Sequence, residues 1–392
     1  MTLPEMLSDS RGGLRVVVDR KHCQQFRELL GDAGLFDKKR KVIRCGERVE
    51  LPVLGPPQPQ LETKLRNIGA GSFDIFTSAE EDAQDSVEGL GLKEKLLHSV
   101  TEVVTFSIDC ELEREIPESW EYYGDLLLVP GTSFRDPIWR DFLDEILNHI
   151  CRIFKVTRVA RKCPVVNDDF RSPKTDMLRG SSTWVSRKEN GITYHFDITK
   201  SMFSAGNISE KLRVSKFDCR GETVVDLFAG IGYFTLPFLL HAKADRVIAC
   251  EWNPASVEAL QYNLQHLGLS ESCSVLQGDN RLVCPHNVAD RVNLGLIPQS
   301  EVSWRTACQA LRQTGGVLHV HGNVHCSKLQ NKREEILQWA EGVRETLTGT
   351  LQEVKGRPFR SEVLHTECVK SYSPRVFHVV ADLNFVEDKS SQ

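Results

Sequence analysis

Three short stretches of this 392-residue chain put glycines and carboxylates where a nucleoside could be held. In GETVVDLFAGIGYF, a strand-like run from Thr223 to Phe228 enters Ala229-Gly230-Ile231-Gly232, and a helix leaves through Phe234 and Leu236. Glycine is needed there because backbone must approach a ligand closely at the carboxyl end of a strand, where open α/β sheets bind cofactors. A second strand, Arg246 to Cys250, ends in Glu251, whose carboxylate can accept hydrogen bonds from both hydroxyls of a ribose. A third, Cys273 to Gln277, ends in Gly278-Asp279-Asn280; a carboxylate there can accept from an adenine amino group while a following amide donates to the ring. The three tips read together as an adenosine-shaped site.

A dinucleotide fold would show G-x-G-x-x-G, but the third glycine position is Thr235, and this loop is not built for a pyrophosphate at a helix N-terminus. The reading is therefore an S-adenosylmethionine-type cofactor. No metal is expected: twelve cysteines run from Cys23 to Cys368 with no C-x-x-C pair, the pattern of reduced thiols. His319, His321 and His325 lie near a predicted strand end and read as structural.

The elements that must position these tips follow a βαβ rhythm from about Lys211 onward, the signature of a parallel sheet covered on both faces. Asn253-Pro254 opens a helix as N-cap and first helical residue, with Val257, Leu260, Leu264 and Leu267 as its buried stripe. Val363 to Tyr372 and Val376 to Phe385, split only by Ser373-Pro374-Arg375, can join only as an antiparallel hairpin. The fold class expected is α/β: a Rossmann-like domain over 201–392, its mostly parallel sheet ending in an antiparallel hairpin, preceded by small α+β units. Those units are a small β-α-β segment over 1–54 with a basic turn at Lys38 to Lys41, and an α+β unit over 96–200. The latter carries a helix around Trp139 to Ile150 and strands around Lys155 to Arg161 and Gly191 to Ile198. Between them, 55–95 is rich in Pro, Gly and Gln and then acidic from Glu80 to Glu88, and reads as a linker.

Composition bounds the function classes. Forty per cent hydrophobic and 26% charged residues are those of a globular chain, which excludes a fibre or a disordered tail. The longest uncharged apolar run, Leu227 to Leu240, is too short to span a bilayer, and MTLPEMLSDSRGG lacks a secretory pattern, so a cytoplasmic location is expected. The formal charge is −5, yet Arg152 to Lys188 holds ten Lys and Arg against three Asp. That run is either a solvated face or a phosphate-contacting patch, with Arg158, Arg161 and Lys162 as candidates for the second.

D-L-F-A-G-I-G, which holds Asp226 and Gly230, resembles the cofactor loop of class I methyltransferase-fold enzymes. M-F-S-A-G-N-I-S-E-K-L-R (Met202 to Arg213), N-L-G-L-I-P-Q-S (Asn293 to Ser300) and H-x-x-x-V-K-S-Y-x-P (His365 to Pro374) resemble blocks of the tRNA wybutosine-synthesising protein 2 family. The related tRNA guanine-N1 methyltransferases carry F-S-P-R-L and N-L-P, where this chain has Ser-Ala-Gly-Asn at 204–207 and Gly-Leu-Ile-Pro at 295–298. The resemblance implies transfer of the 3-amino-3-carboxypropyl group of S-adenosylmethionine, a donor substrate, to 4-demethylwyosine at position 37 of tRNA-Phe, with release of methylthioadenosine. It implies Ser204, Lys211, Glu251, Asp279 and Asn280 as donor-binding residues, together with Asp226 and Gly230 of the glycine loop, with Lys211 a cation for the methionine carboxylate and Ser204 a hydroxyl at that end. The general base is not legible. The alternatives are a guanine-N1 methyltransferase and a non-catalytic tRNA-binding adaptor.

Overall fold

The computed structural model describes residues 14–37, 42–45, 48–68, 74–77, 91–106, 108–163, 174–203, 205–327 and 329–391. The chain divides into two compact units, 1–98 and 99–392.

In the first unit, β1 (Leu14–Asp19), α1 (Cys23–Asp32), β2 (Ile43–Cys45), β3 (Arg48–Pro52), α2 (Pro59–Ile68) and β4 (Asp74–Thr77) build a sheet of order β2-β3-β1-β4. Every pairing is antiparallel, so the small unit is β-α-β-β-α-β and runs past residue 54. Val16, Val18, Val49 and Leu51 meet Phe26, Leu30 and Leu65 in its core. The stretch expected as a linker thus contributes a helix and a strand. Pro59 fits the first helical position, where its missing N–H costs nothing, and Leu65 gives the helix a fully buried anchor. The basic turn at Lys38 to Lys41 and the acidic run from Glu80 to Glu88 lie outside the described residues.

After α3 (Leu92–Val103) and α4 (Cys110–Glu113), the second unit contains β5 (Glu121–Tyr123), β6 (Leu126–Val129), α5 (Leu143–Phe154), β7 (Arg158–Lys162) and β8 (Thr175–Arg179), in sheet order β5-β6-β7-β8. Helix α5 starts later than the sequence suggests because Asp136 caps a separate 3-10 turn, Pro137–Trp139. It stops where Lys155 turns left-handed at φ 55°, which delays the next strand to Arg158. A hairpin, β9 (Trp184–Glu189) with β10 (Ile192–Asp197), follows. Its Val185, Ile192, Tyr194 and Phe196 enter the same core as Ile231, Phe234, Leu236 and Leu260. Residues on either side of position 200 therefore share one core.

The larger sheet and its helices are α6 (Ile208–Val214), β11 (Thr223–Asp226), α7 (Thr235–Leu240), β12 (Arg246–Glu251), α8 (Pro254–His266), β13 (Cys273–Gln277), α9 (Asn280–Val283), β14 (Arg291–Leu294), α10 (Trp304–Ala310), β15 (Gly315–His325), α11 (Lys332–Lys355), β16 (Phe359–Ser373) and β17 (Val376–Glu387). Strand order is β13-β12-β11-β14-β15-β17-β16. The first five are parallel, and β17 pairs antiparallel to both β15 and β16, giving the expected terminal hairpin. The order reverses between β11 and β14, and ligands of open α/β sheets bind at the carboxyl ends of strands at such a reversal. In α8, Asn253 caps through Ala255 N–H, and Val257, Leu260 and Leu264 are buried while Leu267 is only partly so. Among the described residues no helix is long and apolar enough to cross a membrane.

Candidate donor-binding site

The ends of β11, β12 and β13 are adjacent and bonded to one another. Glu251 Oε2 accepts from the Gly230 N–H at 2.7 Å and its Oε1 from the Asn253 N–H at 2.8 Å. Gly278 N–H donates to the Glu251 carbonyl at 2.9 Å, and the Asn280 side-chain amide donates to the Leu227 carbonyl at 3.0 Å. The glycine turn is left-handed at Gly230 (φ +56°), where a Cβ would stand 2.5 Å from the Tyr233 ring. Gly278 has φ +142°, and a Cβ there would meet Val283 at 2.8 Å. Both positions thus require glycine.

The carboxylate of Glu251 fits a ribose on a specific ground. Its two oxygens offer about four acceptor sites and face three main-chain N–H groups, those of Gly230, Asn253 and Trp252, so the carboxylate keeps acceptor capacity for a ribose. Burial raises its pKa, and the N–H groups of Asn253, Gly230 and Trp252 oppose that rise. Asp279 caps α9 and is held by Arg281 through Nε at 3.0 Å and Nη2 at 2.5 Å, the guanidinium lowering its pKa. Asn280 spends its side chain on Leu227 and on Ser303 Oγ (2.9 Å). What it has for a ring is its main-chain N–H, which stands in the first turn of a helix, where such groups have no intrahelical partner.

Asp226 differs from the expectation. It is fully buried, and its oxygens are engaged by Thr235 Oγ1 at 2.8 Å and Asn293 Nδ2 at 3.0 Å. It fixes the glycine turn from beneath. Sequence names Thr235 only as the missing third glycine and Asn293 only as the start of a block, and gives neither a role in the site; the signal for Asn293 is its place at the end of β14, beside the reversal of strand order. Ser204 lies outside the described residues.

Lys211 is 1% exposed and its ammonium pairs with Glu189 of β9. Three rings surround it, with centroids at 4.7 Å (Phe203), 5.6 Å (Tyr233) and 5.7 Å (Tyr194). Burial lowers its pKa while Glu189 works against the loss of charge. Tyr233 belongs to the glycine turn and donates to the Met202 carbonyl, so the ammonium stands beside the first tip.

The basic segment resolves into two groups. Arg158 is spent on Asp125 (2.5 Å) and on the carbonyls of Ser182 (2.7 Å) and Trp184 (2.9 Å). Arg161 donates to the carbonyls of Ser133 and Phe134, both at 2.9 Å, and Lys162 pairs with Glu121. The two arginines are largely buried and hold loops together, because carboxylate and carbonyl partners 15 to 33 residues away claim them first. Among the described residues Arg152, Lys155, Lys162, Lys174 and Lys188 are the exposed cations of the run, and of these Lys162 is paired with Glu121.

Residues 185–344 match the family model described as TRM5/TYW2 methyltransferase domain, and residues 100–183 match that described as TYW2 N-terminal domain. The chain is 37% identical over 417 aligned residues to "tRNA wybutosine-synthesizing protein 2 homolog" of Macaca fascicularis, covering 94% of this chain and 93% of that one. It is 50% identical over 273 residues to "tRNA wybutosine-synthesizing protein 2/3/4" of Arabidopsis thaliana, covering 70% of this chain but only 27% of the longer plant protein. Among solved structures, P. horikoshii TYW2 in complex with MeSAdo superposes with a TM-score of 0.57 at 28% identity, over 76% of this chain and 100% of that one.

Proposed function

This chain belongs to the tRNA wybutosine-synthesizing protein 2 family, and from that premise we propose how its own residues serve the family's reaction. It is a transferase that uses S-adenosylmethionine and moves the donor's 3-amino-3-carboxypropyl group to 4-demethylwyosine in tRNA, releasing methylthioadenosine. We read the RNA as tRNA-Phe modified at position 37, in the cytoplasm, where cysteines such as those free among the described residues stay reduced.

A sulfonium offers three electrophilic carbons, and the enzyme selects one by holding it in line with the attacking atom. A carbon of the base bonds to the terminal carbon of the aminocarboxypropyl arm as that carbon's bond to sulfur breaks. The electron pair stays on sulfur, the thioether leaves neutral, and the base carbon then loses a proton. Glu251 holds both ribose hydroxyls, and Asp279 with the Asn280 N–H reads the adenine edge. Lys211, shared with Glu189, faces the methionine carboxylate; an ammonium has three donors, so both carboxylates can bond to it. Ser204 supplies a hydroxyl at that end, and Asp226 keeps the turn in shape. The exposed cations Arg152, Lys155, Lys174 and Lys188 meet tRNA phosphates.

The observation that carries this reading is the mutual bonding of the three strand tips in a chain that matches a relative along 94% of its length. The test is a double-label assay with tRNA-Phe carrying the tricyclic precursor. Label from the aminocarboxypropyl arm should enter that RNA; entry of methyl label alone, into a parallel tRNA-Phe with guanosine at position 37, would make the chain a guanine-N1 methyltransferase.

A further inference from the structure

Four buried side-chain atoms with no hydrogen-bond partner among the described residues gather beside the reversal of strand order. They are Asn293 Oδ1 on β14, His321 Nε2 and Asn323 Oδ1 on β15, and His378 Nδ1 on β17. The register groups them: Asn293 pairs with His319, and Asn323 with His378, and residues two apart on a strand share a face. Buried polar atoms are normally satisfied. His319 obeys that rule, with Asp382 at 2.5 Å on Nδ1 and Arg291 at 2.9 Å on Nε2. His321 does not.

Among the described residues the His321 and His378 rings hydrogen-bond only to each other, Nδ1 to Nε2 at 3.0 Å. Two neutral imidazoles share one proton across that contact, so one outer nitrogen is a bare lone pair and the other carries N–H. The pair can therefore take a proton at one end and release another at the far end. His321 stands one residue past the register partner of Leu294, the last residue of β14. Its ring lies 5.2 Å from that of Phe234, which leaves the glycine turn. With Pro298, Ser300, Trp304 and Asn323 it lines a cavity of about 60 Å³, room for the edge of a ligand.

We propose that His321, backed by His378, accepts the proton that the base carbon loses in the reaction proposed above, on which this assignment rests. The proton goes to His321 Nε2, the Nδ1 proton of His321 moves to His378 Nε2, and His378 Nδ1 gives up its own. The electrons of the broken C–H bond restore the aromatic ring, so no other reactant is needed. Burial, with His378, His319 and Arg213 nearby and Asp382 opposing, keeps His321 unprotonated. Burial and Lys370 lower His378 to about 4. Both rings are thus neutral at the pH of the cell.

The experiment measures single-turnover transfer of aminocarboxypropyl label by the full chain, with donor and tRNA affinities determined separately. His321→Asn should slow the step by about 100-fold or more while both affinities stay within about threefold, and added imidazole should restore rate to His321→Ala. His378→Gln, a positioning change, should slow it by about tenfold. A His321→Asn rate within about fivefold of the wild type, a loss confined to affinity, or no rescue by imidazole overturns the assignment. If the His321 variants lose donor binding altogether, His378→Gln decides, and a full rate there refutes the relay. A wild-type protein that transfers no such label refutes the reaction itself, and this step with it.

Discussion

Glu251→Gln separates the two tasks assigned to this carboxylate. In the folded chain its oxygens accept main-chain N–H groups from Gly230 at 2.7 Å and Asn253 at 2.8 Å, and from Trp252. A glutamine of the same shape has one acceptor and one NH2, so one of those N–H groups faces another donor. An unsatisfied buried group costs about 1–3 kcal/mol, which should appear as lower stability of the donor-free protein. The donor loses something else. One ribose hydroxyl no longer finds a charged acceptor, and a hydrogen bond to a charged group contributes about 1.5–3 kcal/mol. At about 1.4 kcal/mol per tenfold change, the dissociation constant for S-adenosylmethionine should rise between about 10-fold and 150-fold. Calorimetric titration of wild type and variant with S-adenosylmethionine and with methylthioadenosine reads this directly, and both ligands should lose the same factor because both carry the ribose. A variant that is less stable but binds both ligands as tightly as the wild type would show that Glu251 only braces the glycine turn. A loss for S-adenosylmethionine alone would place the carboxylate at the methionine end instead.

Three other outcomes follow from the same geometry. Lys211→Met strands the Glu189 carboxylate in a buried site, so the protein should lose about 3–5 kcal/mol in denaturant unfolding; Lys211→Met with Glu189→Gln should recover most of that while still binding S-adenosylmethionine more weakly than methylthioadenosine. Replacing Arg152, Lys155 and Lys188 together by Gln should flatten the salt dependence of tRNA binding without moving the melting temperature; Arg158→Gln with Arg161→Gln should lower the melting temperature instead. Because His378 is lowered in the fold to about 4 from an ordinary value of about 6.5, the folded state takes up fewer protons than the unfolded chain. Its contribution is present above about pH 6.5 and is lost as pH falls toward 4, worth about 3 kcal/mol over that window; His378→Gln should flatten acid unfolding there, and an unchanged profile would contradict the neutral pair.

The three tips were legible because each is written in residue types that backbone geometry dictates. Only glycine suits the left-handed turn at Gly230, Asn253-Pro254 marks a helix start, and β13 runs from Cys273 to Gln277 as its apolar pattern suggests. Where sequence misled, the deciding partner lay far along the chain. Arg158 and Arg161 look like solvent-facing cations until Asp125, Ser133 and Phe134 are folded against them. Asp226 looks like a ligand residue until Asn293 arrives from the neighbouring strand. The 55–95 segment hid a helix because Pro and Gln near its start mimic a linker while Leu65 supplies the burial. His321 and His378 are 57 residues apart, and only antiparallel pairing of β15 with β17 makes them a pair.

The same long-range logic explains why the block from Met202 to Arg213 and the terminal hairpin belong to one resemblance. Helix α6 has seven residues, too few to persist without tertiary support. Glu210 is wholly buried and accepts from Arg213 at 2.8 Å, and Arg213 reaches Asp382 of β17 at 2.5 and 3.0 Å. Burial alone would raise the Asp382 carboxyl, but His319 and Arg213 hold it below the ordinary carboxylate range. Beyond His319, Arg291 closes the chain onto Glu222 at 2.8 and 3.0 Å. On one short helix, then, Glu210 and Arg213 tie down to the sheet while Lys211, between them, reaches Glu189 and the ring of Tyr233. The hairpin strand that carries Asp382 therefore sets where the ammonium stands, and the position of the donor's methionine end depends on residues about 170 apart in sequence, Arg213 and Asp382.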